Sequence, residues 1–115
     1  MARPHRLSFA ALILATFGLL PSSCSWIFVT PPPADAGRGD RVDCTTSPAA
    51  PVVDTLLAAS NVAGALYVAG TVGNKATPAQ NALVTTGLVW AIVYTSAAVH
   101  GYRATAACRE LVEQE

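Results

Sequence analysis

The sequence predicts an all-α chain: an N-terminal apolar signal helix, a disordered Pro/Gly tether, and an antiparallel transmembrane helical hairpin. Three observations lead there. Between Asp54 and Arg103 lie 48 residues with one formal charge, Lys75, near their middle. The other thirteen of the fourteen Asp, Glu, Lys and Arg residues stand outside that region. A basic, then apolar, start precedes a stretch dense in proline and glycine. Hydrocarbon cannot pair with a backbone amide or solvate a charge, so spanning segments satisfy their amides internally and shed ionised side chains.

Composition limits the alternatives. Apolar residues make up 52% and charged residues 12% of the chain, the latter about half the usual fraction. Net charge is zero and no basic cluster exists, so nucleic acid finds no electrostatic footprint. The apolar content is mostly Ala and Val, which leaves a water-soluble hairpin open as a reading.

The first segment, residues 1–23, reads as a secretory signal peptide. Arg3 and Arg6 supply the positive start, and residues 7–20 are apolar apart from Ser8 and Thr16. That stretch is short for a span, which needs about 20 residues. Leu19-Leu20-Pro21-Ser22-Ser23-Cys24 resembles a bacterial lipobox, in which a leucine and small residues precede a cysteine that is acylated and becomes the new N-terminus. Pro21 stands where that motif has an aliphatic residue, and the leucine comes one place early. Cys24 is therefore the expected lipidation site, with ordinary cleavage beside Ser23 and retention as an anchor as the alternatives. Trp26, Ile27 and Phe28 follow directly and suit the headgroup level, where amphipathic rings are favoured. A short strand or an apolar loop contact is the other reading of these three.

Residues 24–47 read as a lipid-attached flexible tether. Pro31-Pro32-Pro33 favours polyproline II, and the glycines of Gly37-Arg38-Gly39-Asp40 favour coil. The hairpin then occupies residues 48–115. Ser47 is placed to cap the first helix, with proline in its first turn, and Asp54 lies within the first two turns, where a carboxyl group suits the helix dipole. Residues 55–73 are uncharged, about 28 Å of helix, close to the roughly 30 Å of a bilayer's hydrocarbon core. Gly73-Asn74 marks the stop. Thr77-Pro78-Ala79-Gln80 reads as a capping box with proline at the first helical position. The second helix should continue past Gly101, since Ala97, Gly101, Ala104, Cys108 and Leu111 keep one face small and apolar. The link over residues 74–77 is short enough to force antiparallel neighbours.

Small residues mark the expected packing surfaces: Ala59, Ala63 and Gly70 on the first helix, Gly87, Ala91 and Ala98 on the second. They let backbones approach, and packing drives helix association in lipid. Composition bias alone gives the same spacings in an Ala-rich chain. Asn61 stands at mid-span depth, where it could hydrogen-bond across the helices. His100, near Tyr102, reads as an interfacial side chain.

Three cysteines in an exported chain is an odd number. With Cys24 lipidated, Cys44 and Cys108 remain and flank the hairpin. Counted from the turn, Cys108 lies about 45 Å up a continuous second helix. Cys44 lies about 38 Å up plus up to about 13 Å of extended chain. Those lengths permit a disulfide without requiring it. Export places the tether and the tail outside and the Lys75 loop in the cytoplasm, in keeping with the positive-inside tendency.

The run Cys44-Thr45-Thr46-Ser47-Pro48-Ala49-Ala50-Pro51-Val52-Val53-Asp54-Thr55, with His100-Gly101-Tyr102 and Cys108-Arg109-Glu110, resembles a group of small uncharacterised bacterial lipoprotein-like membrane proteins. In these a Cys-Thr-Ser segment leads through Pro-Val-x-Asp-Thr into an apolar hairpin. The resemblance spans most of residues 24–110. It implies that Cys44 pairs with Cys108 and that the chain belongs to the cell envelope. It implies no activity.

The functional expectation is a non-enzymatic bacterial cell-envelope membrane protein, a lipoprotein acting through helix–helix contacts with itself, as a homo-oligomer, or with a larger membrane partner. The lipid bilayer is the other expected partner. A minimal pore or transport subunit, with Asn61 and the span threonines lining a path, and a soluble periplasmic hairpin are the alternatives. No catalytic, cofactor-binding or metal-ligating residues are expected. The sequence has no glycine-rich phosphate loop, no metal-ligand spacing and no nucleophile paired with a base.

Overall fold

Two long helices lying side by side dominate the computed structural model, which describes residues 25–37 and 42–114. Among these residues the chain is all-helical, with no strand. A single helical turn, α1 (Ser25–Phe28), comes first. Then follow α2 (Ala49–Val72), a 3₁₀ turn (Gly73–Lys75) and α3 (Pro78–Val112). The signal segment, Cys24 and Arg38-Gly39-Asp40 lie outside the described residues.

Local chemistry sets each helix end. Ser47 Oγ accepts the Ala49 N–H at 3.3 Å, and Pro48 occupies the cap position, so α2 starts one residue later than Ser47 capping would place it. At the other end Gly73 adopts φ 53°, a left-handed value that favours glycine, and its N–H returns to the Ala69 carbonyl. The capping box at α3 forms as the sequence predicts. Gln80 N–H donates to Thr77 Oγ1 at 3.3 Å, and Thr77 N–H donates to Gln80 Oε1 at 2.8 Å. No proline or glycine cap interrupts α3 before Val112, so it runs 35 residues, about 52 Å.

The seam between α2 and α3 follows a heptad. On α2, Pro51, Asp54, Ala58, Asn61, Ala65, Val68 and Val72 are buried or half-buried, at alternating steps of three and four. On α3 the same alternation carries Gln80, Val84, Gly87, Ala91, Tyr94, Ala98, Gly101, Thr105 and Cys108. A 3.5-residue period keeps one stripe facing the partner along the whole length, as in a left-handed coiled coil. The stripe is rich in Ala and Gly, so the backbones come close: a Cβ on Gly87 would stand 3.3 Å from the Asn61 carbonyl oxygen.

This register corrects part of the expected packing set. Ala91 and Ala98 are buried on α3, and Gly87 is half-buried against α2. Ala59, Ala63 and Gly70 are exposed on the outer surface of α2, and nothing lies within 4 Å of a Cβ built on Gly70. They fall one or two places off the stripe of Ala58, Asn61, Ala65, Val68 and Val72, and so turn away from α3. Asn61 is corrected too. Its Nδ2 donates to the Leu57 carbonyl of its own helix at 2.8 Å, not across the seam.

Outside the seam both helices are apolar and uncovered. Leu56, Leu66 and Ile92 are 63%, 65% and 70% exposed. Both are long and apolar enough to cross a membrane, which suits membrane association. Several of their hydroxyls bond back to the helix that carries them. Ser60, Thr71, Thr85 and Thr95 each donate to the carbonyl four residues earlier, at 2.7–3.0 Å. Hydroxyls satisfied in this way present little unmet polarity to an apolar surrounding.

Candidate functional site

The open end of the hairpin, away from the 3₁₀ turn, gathers the hydrogen bonds that join separate segments of the described chain. There α1 packs against both long helices. Ser25 and Asp54 are fully buried. The Ser25 N–H donates to Asp54 Oδ2 at 2.8 Å, and the Ser25 hydroxyl donates to the same oxygen. Asp54 Oδ1 is also buried and has no hydrogen-bond partner among the described residues. Removing a carboxyl group from water is costly unless its oxygens are paired, so one half of this group is provided for and the other is not.

Gly101 on α3 closes the far wall. A Cβ there would stand 2.6 Å from Ser25 Oγ, 2.8 Å from Ser25 Cβ and 3.0 Å from Pro51 Cβ. Real side chains do not approach so closely, so glycine is what lets residue 25 enter. Ser25, Pro51, Asp54 and Gly101, from α1, α2 and α3, thus form a clasp around the start of the described chain.

Further contacts fasten the linker across the same end. Cys44 and Cys108 form a disulfide with a Cα–Cα distance of 5.9 Å, within the usual range for such bonds. Arg109 Nε donates to the Thr46 carbonyl at 2.9 Å. Thr30 and Thr45 exchange two hydrogen bonds, Thr45 N–H to the Thr30 carbonyl and Thr30 N–H to Thr45 Oγ1, both 3.0 Å. The linker has no regular helix or strand, yet it is held at both ends of its loop. Trp26 and His100 lie with ring centroids 5.4 Å apart, while Trp26, Ile27 and Phe28 stay mostly exposed as one apolar turn.

Of the residues singled out in the sequence, the structure joins Cys44 to Cys108 and seats Gly87, Ala91 and Ala98 in the seam. Ala59, Ala63 and Gly70 take no part in it. Cys24 lies outside the described residues. The clasp goes beyond what Asp54's place near the helix start predicts, which is an interaction with the helix dipole. One signal pointed to it. Asp54 is in heptad register with Pro51 and Ala58, and an acid on an inner face needs a partner.

Among the described residues no group of three or more His, Cys, Asp or Glu is placed to hold a metal ion. A shallow open groove between the helices is lined by Ser60, Asn61, Gly64, Val68 and Leu83. No family model, curated protein or solved structure matches the chain.

Proposed function

We propose that the chain is a small non-enzymatic membrane protein of a bacterial cell envelope, lipidated at Cys24, whose helical hairpin works through contacts with itself or a larger membrane partner. The observation that carries this reading is the outer surface of α2 and α3. Large apolar side chains such as Leu56, Leu66 and Ile92 stand uncovered, while the hydroxyls of Ser60, Thr71, Thr85 and Thr95 donate to their own helices. Water would make such a surface unfavourable, at about 25 cal/mol per Å² of apolar area; lipid or a partner helix would not.

The small residues that do not serve the internal seam support the association. Ala59, Ala63 and Gly70 face outward, and open space lies beyond Gly64 and Gly70. Another helix could come close there. No observation favours a pore, because Asn61 donates to its own helix carbonyl.

Carbonate washing of membranes tests the reading at its base. The protein should remain in the pellet; release into the supernatant would favour a soluble hairpin bound to a partner. Labelling cells with a tagged fatty acid should mark the wild type and not Cys24→Ala, and equal labelling of both would remove the lipid. Cross-linking in membranes should give a ladder of copies, or one adduct with a larger protein, that Ala63→Leu weakens.

A further inference from the structure

The clasp holds α1 at one height on the hairpin. The Ser25 N–H and hydroxyl both donate to Asp54 Oδ2 on α2, and Ser25 fits against Gly101 on α3. Val29, just after the turn, is buried and returns its N–H to the Ser25 carbonyl. Between these two seated residues, Trp26, Ile27 and Phe28 are each more than half exposed. Both long helices run on past this height, through residues 49–53 of α2 and 102–112 of α3. The turn therefore lies on the flank of the hairpin and not over its end, with the Trp26 ring beside His100 of α3. Charge marks what level of the flank this is. Residues 55–74 carry no charge between Asp54 and Lys75, and a helix of that length rises about 30 Å, the thickness of a hydrocarbon core. On α3 the next charge after Lys75 is Arg103, just past Gly101. α1 thus stands one hydrocarbon thickness from the 3₁₀ turn, where charge returns to the helices.

We propose that α1 is a clasped interfacial anchor: Trp26, Ile27 and Phe28 dock into the boundary between lipid headgroups and hydrocarbon, and the clasp makes that docking set the depth of the whole hairpin. The proposal rests on the reading that α2 and α3 span a bilayer. The chemistry of the turn fits this partner. An indole ring is apolar while its N–H is a donor, and the boundary satisfies both at once, with Ile27 and Phe28 on its apolar side. Water would leave all three side chains uncovered, and the middle of the hydrocarbon would leave the indole N–H without an acceptor. Fastening is what turns attachment into positioning. An anchor on a loose tether holds a chain at the membrane, whereas one bonded to Asp54 and seated against Gly101 holds both helices at a fixed height. Residues 103–112 of α3, about 15 Å of helix, then stand outside the hydrocarbon together with the disulfide-bonded linker.

Depth-dependent fluorescence quenching of the full chain in phosphatidylcholine vesicles tests this, because the chain has two tryptophans, Trp26 and Trp90. Trp90 lies about 18 Å along α3 from Pro78, near mid-depth. With Trp90→Phe, lipid bromines near the headgroups should quench Trp26 about twofold or more better than bromines near the chain ends. With Trp26→Phe, Trp90 should show the opposite order. Gly101→Val added to Trp90→Phe should unseat Ser25, so that Trp26 loses its depth preference and opens to iodide from the water. Asp54→Ala removes the acceptor of both Ser25 bonds and should do the same, should Gly101→Val no longer insert. Three results overturn the anchor alone while Trp90 keeps its expected order: Trp26 quenched only by iodide, quenched best by deep bromines, or shielded from both. An unchanged Trp26 depth in a variant that stays inserted overturns the part given to the clasp. Trp90 unreached by any bromine removes the spanning hairpin beneath the proposal.

Discussion

At the scale of single residues, two glycines should respond to the same methyl group in opposite ways. A Cβ on Gly101 meets Ser25 Oγ at 2.6 Å and Ser25 Cβ at 2.8 Å, whereas Gly64 has nothing within 4 Å. Gly101→Ala should therefore destabilise the folded hairpin by about 1–3 kcal/mol, the usual cost of overpacking. Gly64→Ala should stabilise it by about 0.5–1 kcal/mol through lower backbone entropy in the unfolded chain. Unfolding midpoints in detergent check both, and a Gly101→Ala variant as stable as the wild type would mean that Ser25 is not seated where it stands. The clasp was scarcely legible in the sequence for a physical reason. Ser25 and Asp54 are 29 positions apart, and a hydrogen bond between separate segments leaves no period or local motif. Gly101 looked like one more small residue on an apolar face, and only the presence of Ser25 opposite gives it a specific task.

Among the elements, what was legible is what is settled within a few residues. The Thr77–Gln80 capping box is complete inside one turn, and both its partners could be read from a four-residue window. Thr77→Ala should cost about 1 kcal/mol, seen as a lower unfolding midpoint with the helix content unchanged. The hairpin was legible as well, because charge segregation and a short link leave few alternatives. The seam between the helices was read less well. Small side chains selected Ala59, Ala63 and Gly70, but two long helices in contact follow a 3.5-residue period, and these three fall one or two places off its stripe. The alternation through Ala58, Asn61, Ala65 and Val68 was present in the sequence and marks the buried face. A leucine scan separates the two registers. Ala65→Leu, at a position 6% exposed, should destabilise the hairpin by about 1–3 kcal/mol. Ala63→Leu, on the outer face, should leave its stability nearly unchanged. Equal losses at both would place the seam elsewhere.

At the scale of the whole molecule, one end of the hairpin carries the clasp, the disulfide and the linker, while the other carries the 3₁₀ turn with Lys75 and the Thr77–Gln80 capping box. If the chain is exported, that asymmetry should match the two sides of the membrane. A reporter active only outside the cytoplasm should work when fused after Glu115 and fail when inserted at Lys75, and the reverse pattern would reject the proposed orientation. The disulfide then defines what the fastened end does. It joins residues 64 apart, and chain-entropy arguments give such a closure roughly 4 kcal/mol, an upper value here because a membrane already restrains the unlinked chain. The long helices do not depend on it, since their seam continues from Cys108 down to Gln80. Cys108→Ser should therefore keep the helical content and the membrane association of the wild type. What it should lose is the linker's restraint, leaving the Thr30–Thr45 pair and the Arg109–Thr46 bond, two exposed contacts worth about 1 kcal/mol per hydrogen bond. Limited proteolysis on the outer side should then cut residues 30–46 at least several-fold faster in Cys108→Ser, and in reduced wild type, than in the oxidised protein. If the reduced linker resists cleavage as well as the oxidised one, the hydrogen bonds alone hold it and the disulfide serves only to lock a structure already formed.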